Sequence, residues 1–377
     1  MRKRSRSFKN GIGYTIRRLA VLLIVLLLAV GAVFGIVSLI KGIGPLDSYT
    51  LMPFSASDKY VFTGSGFLYL DNDTLIYDDL NDNSKDYSFR VSASEVELSA
   101  SKTIAALYNS SAVQIVGAQT PIEQSGEASK ISAVKCGLDY IAVLFEETDS
   151  KHFLKIFDKN AALIDEIHPE SDYLFMMDFG FTDTDSNTLW TLLVDTSAEI
   201  PICTITTYDL SKKSTTGVMT AQHQLVESLE FTDNSIFAVG TNHLMRYNNG
   251  SLIFRLSIYG YKVIDYSFTS SKPVFLLQPR SSDSSFSTVK VCTVSEKETA
   301  DDKTITIQLP HDTLSAFLMK DKVVACTADT INTYSLSGEL LSKTDPEFAL
   351  TANGAVKLND SEILLYSGND IYRYQVK

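Results

Sequence analysis

A unit of about 42 residues recurs through this chain, and no other feature restricts its possible folds so strongly. Each copy reads as a turn, an apolar run, a tight polar turn, then a second run ending in an aromatic residue followed by Asp, Asn or Ser. Asn234–Val239 is followed by His243–Gly250, Asp321–Cys326 by Thr330–Ser335, and Ser361–Tyr366 by Asp370–Gln375. An early copy spans Gly66–Leu70 and Thr74–Asp78. The terminal position of the second run falls at Tyr77, Val116, Phe157, Tyr208, Tyr247, Cys292, Tyr334 and Tyr374. Val116 and Cys292 break the aromatic pattern. The 51-residue interval before Tyr208 is lengthened around Thr182–Asn187 or Ser197–Pro201, and the 45-residue interval before Cys292 around Ser281–Ser287.

Runs rich in Val, Ile, Leu, Phe, Tyr and Thr between Asn/Asp/Ser/Gly turns are strands, and no long helical periodicity appears after Tyr49. An all-β chain with this period matches a propeller built from four-stranded blades of ~40–45 residues. Eight marks between residues 49 and 377 predict eight blades, with seven as the alternative; a pair of sandwiches would lack the fixed period. The last unit stops directly after its third strand, and Tyr49–Phe54 is a spare strand-like segment at the start. Pairing the two would close the ring and remove its open edges, with Pro53 tolerated in an outermost strand.

The first forty residues have a different chemistry. Arg2, Lys3, Arg4, Arg6, Lys9, Arg17 and Arg18 precede an uncharged run from Leu19 to Ile40. As a helix that run would be about 33 Å long, enough to span a hydrocarbon core of ~30 Å. It is too long for the apolar core of a cleaved signal peptide, although Val30-Gly31-Ala32 resembles a cleavage site. The basic excess places the N-terminus in the cytoplasm. The expected organisation is a cytoplasmic tail at 1–18, a transmembrane helix at 19–40 in the plasma membrane, a stalk at 41–48, and an extracytoplasmic propeller at 49–377. Gly31 and Gly35 form one GxxxG, ordinary in such a composition.

Residues 1–41 hold eight of the 33 Lys/Arg and none of the 45 Asp/Glu, so the remainder carries a net charge of −20. Such a surface repels phosphate backbones and argues against a nucleic-acid partner. The four cysteines fit no zinc or redox spacing. Cys203, Cys292 and Cys326 fall in strands, and a Cys292–Cys326 disulfide needs the fold to bring them together. His152, His168, His223, His243 and His311 are isolated, with no HExxH among them. Asp183-Thr184-Asp185-Ser186-Asn187 begins like a calcium loop but lacks its Gly and closing Glu, so it reads as a polar turn, as does Asp78–Asn83. Asn72, Asn109, Asn249 and Asn359 head glycosylation-like triplets at turns. Nucleotide loops and nucleophile elbows are absent. No catalytic, cofactor-binding or metal-ligating residue is predicted, and no enzymatic activity is expected.

A basic tail, one membrane helix and an extracytoplasmic propeller with Tyr-Asp turns resemble a family of unknown function in Gram-positive bacteria, and more distantly WD40-like and PQQ-like propellers. The resemblance implies fold and topology and supplies no catalytic residues. Quinoprotein propellers pack a Trp on their cofactor, whereas Trp190 is the single tryptophan here and reads as core. Sialidase Asp boxes, kelch Gly-Gly doublets and WD dipeptides are also missing. The expected function is a protein-interaction platform in the cell envelope, partnered by the bilayer through residues 19–40 and by an envelope protein. The alternative is a cell-wall glycan or small-ligand binder or hydrolase using the channel or a loop face.

Overall fold

The computed structural model describes residues 49–376 apart from 92–94, 124–128, 148–150, 183–184, 198, 269–271, 282–284, 295–303 and 346–350. The expected tail at 1–18, helix at 19–40 and stalk at 41–48 lie outside the described residues. Among the described residues no helix is long and apolar enough to cross a membrane.

The strands form eight four-stranded sheets, each a blade. In chain order, blade 1 is Tyr60–Phe62, Gly66–Asp71, Thr74–Asp79 and Tyr87–Arg90; blade 2 is Glu97–Ala100, Ala105–Tyr108, Ala112–Ile115 and Ile122–Glu123. Blade 3 is Ser129–Cys136, Tyr140–Glu147, His152–Asp158 and Leu163–Ile167; blade 4 is Leu174–Phe181, Thr188–Asp195, Ile202–Asp209 and Ser214–Gln222. Blade 5 is Val226–Thr232, Ser235–Gly240, His243–Asn248 and Ser251–Ser257; blade 6 is Tyr261–Ser267, Val274–Pro279, Phe286–Thr293 and Thr304–Thr313. Blade 7 is Ser315–Met319, Lys322–Cys326, Ile331–Ser335 and Leu340–Thr344. Blade 8 takes Gly354–Lys357, Glu362–Ser367 and Asp370–Gln375 from the end of the chain, and Tyr49–Ser55 from its beginning pairs beside Asp370–Gln375.

Each sheet is sandwiched between two others, so its second strand is buried on both faces and reads as a continuous apolar run. Phe67–Tyr69, Ile141–Phe145 and Val274–Leu277 show this pattern. The core is therefore divided among the seams between blades. Eight apolar clusters join blade 1 to 2, 2 to 3, and so on around to 8 and 1. At the closing seam Met52 and Phe54 pack on Phe67 and Tyr69, and the Phe54 ring stacks 4.6 Å from Tyr60. Tyr60 and Tyr366 share a 2.6 Å hydroxyl contact across the same seam.

The repeated aromatic has a structural reason. Phe157, Tyr208, Tyr247, Cys292, Tyr334 and Tyr374 each sit on a third strand opposite the second residue of the second strand and pack toward the preceding blade, whereas Tyr77 sits opposite the third residue, Leu68, and packs toward the following one. At Phe157, Tyr208, Tyr247 and Tyr334 the neighbouring outer strand bulges past the aromatic, re-aiming the strand and increasing its twist. The blade 1 mark needs correction. Asp78, opposite Phe67, holds the equivalent place there, whereas Val116, whose N–H donates to Ala105 O, packs with Ala105 toward the preceding blade as its counterparts do. A slip of one residue moves a side chain to the other face. The lengthened connections also resolve. The described residues of both candidate insertions in blade 4 lie outside its strands, whereas Phe286 and Ser287 already belong to a blade 6 strand.

Candidate functional site

First strands of neighbouring blades meet around the axis, as in blades 1 to 2, 2 to 3, 3 to 4, 6 to 7 and 7 to 8. In blades 3 to 6 these strands bulge within their first five residues. An Asp follows the bulge in blades 4 and 6, and each carboxylate accepts the N–H of the next residue: Asp178 from Phe179 at 2.9 Å and Asp265 from Tyr266 at 2.8 Å. Asp265 also accepts from Leu318 N–H of blade 7 at 2.7 Å and from Lys357 Nζ of blade 8 at 3.4 Å. Burial pushes its carboxyl above the usual range, with the lysine and the two N–H donors opposing that shift. One side chain thus stitches three successive blades. Its sequence signal was the Asp embedded between apolar residues in Met176-Met177-Asp178-Phe179 and Val263-Ile264-Asp265-Tyr266, a repeat within the repeat that the aromatic marks overshadowed.

At the far ends of the first strands of blades 1 to 4 lies a cavity of about 450 Å³. Phe62, Phe181 and Trp190 form aromatic walls, with Lys102 and Lys135 beside them. The rings fit because the opposing backbone lacks side chains. A Cβ on Gly137 would stand 2.5 Å from the Phe181 ring, and one on Gly180 2.9 Å from Trp190. Ser101 Oγ donates to Gly137 O at 2.7 Å and Thr103 Oγ1 to Leu138 O, fastening blade 2 to blade 3. Lys135 Nζ stands 4.0 Å from Asp178. Trp190, expected in the core, is half-buried against this cavity and stacks on Phe231 of blade 5 at 5.9 Å.

The opposite end differs. Phe175 and Met177 at the start of the blade 4 first strand are exposed, as are Tyr173 just before it, Ile200 in the blade 4 hairpin, Leu225 before blade 5 and Tyr259 before blade 6. Tyr259 leaves 81% of its surface in solvent. The connections carrying them are pinned: Thr196 N–H and Oγ donate to Tyr173 O, His223 N–H to Pro201 O, Thr241 N–H to Leu225 O, and Ile258 N–H to Asn242 O. The scaffold is held while its apolar side chains face out. Beside them, a crevice of about 420 Å³ between blades 3 and 4 brings together His152 and His168. His152 meets Phe175 edge-on at 4.7 Å, and His168 stacks on Phe153 at 5.1 Å and contacts Glu166 at 2.7 Å.

The remaining sequence candidates are turns or core. Asp185 accepts from Asn187 N–H and Thr188 Oγ1, bonds that hold its carboxyl below the usual range; residues 183–184 lie outside the described residues. Asp79, read from sequence in a solvated turn, is instead buried, accepting from Asn81 N–H, Asp82 N–H and Tyr77 OH. Asn109 and Asn359 accept local N–H groups at their turns. Among the described residues no three His, Cys, Asp or Glu side chains gather to hold a metal. All four cysteines are free thiols. Cys292 belongs to the seam of blades 5 and 6 and Cys326 to that of blades 7 and 8, so no disulfide joins them. Burial pushes the Cys136 and Cys326 thiols up to about 12.

No family model matches the sequence, and no curated protein does. Solved structures are similar in fold. The WD40 domain of SCAP from fission yeast matches with a TM-score of 0.58 at 9% identity, covering 87% of this chain and 98% of that one. The computationally designed protein Ika8 matches with a TM-score of 0.54 at 14% identity, covering 88% of this chain and 98% of that one. At such identities the likeness concerns architecture alone: residues 49–376 fold as an eight-bladed β-propeller similar to WD40 domains.

Proposed function

We propose that this chain is a membrane-anchored, extracytoplasmic propeller that serves as a protein-interaction platform in the cell envelope. The observation carrying this reading is the end surface of blades 4 to 6. Tyr173, Phe175, Met177, Leu225 and Tyr259 are exposed on three successive blades whose connections are hydrogen-bonded in place. Exposed apolar side chains grouped on a rigid support mark interaction surfaces, and aromatic anchors dominate their energetics. A partner would present an apolar patch with a basic rim, complementing the −20 charge beyond residue 41. Anchoring rests on the uncharged run at residues 19–40 and the seven basic residues before it, which favour insertion with the N-terminus in the cytoplasm. A photo-crosslinking amino acid at position 259 of the full chain in cells, read by mass spectrometry, tests the reading. One reproducible envelope-protein adduct, lost on Phe175→Asp, is expected. Adducts insensitive to Phe175→Asp, or none at all, would overturn it.

A further inference from the structure

The cavity at the far ends of the first strands of blades 1 to 4 differs from the rest of the surface in its charge and in what it leaves unpaired. It touches the last residue of all four strands, Phe62, Ala100, Cys136 and Phe181, and so opens beside the axis around which those strands meet. Three glycines shape it. Gly137 and Gly180 leave the space taken by the Phe181 and Trp190 rings. Gly64, at φ +94°, leaves that of a lysine stem: a Cβ there would stand 2.9 Å from Lys102 Cε of blade 2. Lys102 is thereby laid across blade 1 at the cavity wall. Lys135 pairs with Ala142, which packs toward blade 4, and its Nζ stands 4.0 Å from Asp178 of that blade.

The polar side chains sort the ligand. Thr63 Oγ1 donates to Gly66 O, Ser101 Oγ to Gly137 O and Thr182 Oγ1 to Asp185 O, so the lining hydroxyls have spent their protons. Thr63 and Ser101 also accept local N–H groups, and the Cys136 thiol donates to Ser99 O. What remains is N–H. The Lys102 ammonium and Trp190 Nε1 have no hydrogen-bond partner among the described residues, and Lys135 Nζ stands beyond hydrogen-bond distance of Asp178. No Asp or Glu among the described residues lines the cavity, although acidic residues exceed basic ones by 20 beyond residue 41. A set made only of donors, two of them cationic, complements an anion that accepts and does not donate. A sugar, whose hydroxyls must donate as well as accept, is poorly matched. The rings set the rest of the ligand. Phe181 and Trp190 are half-buried, so each turns part of a flat apolar surface to the cavity, and rings pack well on such surfaces. A volume of about 450 Å³ is that of a small-molecule site.

We propose that this cavity binds a small planar aromatic carboxylate, its ring against Phe181 and Trp190 and its carboxylate taken by Lys102, with Lys135 beside it. The proposal does not rest on the platform reading, which concerns the opposite end of blades 4 to 6.

Trp190 is the single tryptophan, so a fluorinated tryptophan gives the full chain in phosphatidylcholine nanodiscs one fluorine resonance, and that resonance reports on the cavity. The probes are naphthoate, the neutral naphthamide of the same shape, and decanoate, an acid without a ring. Naphthoate should shift the resonance saturably, naphthamide should bind at least ten-fold more weakly, and decanoate should fail to displace naphthoate. Lys102→Gln, on an exposed side chain, should weaken naphthoate about ten-fold, as expected for loss of a charge-assisted hydrogen bond, and leave naphthamide unchanged. Phe181→Leu should weaken both ring compounds. A resonance unmoved by millimolar naphthoate would overturn the proposal. So would equal affinities for acid and amide, displacement by decanoate, or naphthoate binding unchanged by Lys102→Gln or by Phe181→Leu in a protein with native circular dichroism.

Discussion

The seams between blades 6 and 7 and between blades 1 and 2 join the same kinds of strands with very different packing. The first buries twelve apolar residues among the described ones, from Val274 through Tyr334, and Asp265 ties its first strands together. The second fully buries four, Leu68, Leu75, Val96 and Leu107, and surrounds them with half-buried side chains and an open cavity. A ring needs all its seams closed, yet it can distribute stability unevenly. Local opening concentrates where buried apolar contacts are fewest, and such places supply binding sites.

Paired truncations would test that contrast with the largest effect. Leu318→Ala in the dense seam should cost about 4 kcal/mol, and Leu107→Ala beside the open cavity about 2 kcal/mol, since the cost depends on the void left behind. Denaturant midpoints at constant m-value report both, and equal losses would remove the distinction. Hydrogen exchange should then show amides of Ala105–Tyr108 exchanging at least ten-fold faster than those of Lys322–Cys326, a ratio equivalent to ~1.4 kcal/mol of opening free energy.

Two thiols sharpen the comparison further. Burial pushes both Cys136 and Cys326 up to about 12, so their intrinsic reactivity at pH 8 is alike. Cys136 donates to Ser99 O of blade 2, whereas Cys326 lies within the seam of blades 7 and 8. Cys136 should therefore react several-fold faster with a thiol reagent under native conditions, its rate following motion of blade 2. The smallest effect concerns pH. The Asp265 carboxyl is raised by burial, so its protonated form favours the folded state; that contribution is complete below the unfolded value of ~4 and is lost as pH rises through the folded value. Asp265→Asn should flatten the stability profile from pH 4 to 7, measured by denaturant midpoints.

The blades were legible because the second strand of each carries an apolar run and the third in most ends near an aromatic, at a spacing averaging about 42 residues. Both follow from one sheet packed between two others. The slip at Tyr77 arose because the aromatic there stands one residue before the equivalent position, Asp78, which faces Phe67. The candidate sites were far less legible. His152 and His168 look isolated until the third and fourth strands of blade 3 pair, and Trp190 resembles a core residue until Gly180 exposes the space its ring occupies. The Asp265–Lys357 pair spans 92 positions.

Residue order alone determined the repeating unit, the number of blades, and the chain start completing the last sheet, because these depend on local periodicity and on which side chains must leave water. The tertiary structure decided which seams pack tightly, where the axis is cross-linked, and where an apolar gap opens beside blade 2. Those features depend on distances between blades, and small differences in strand length at remote positions accumulate into a filled seam or an open one.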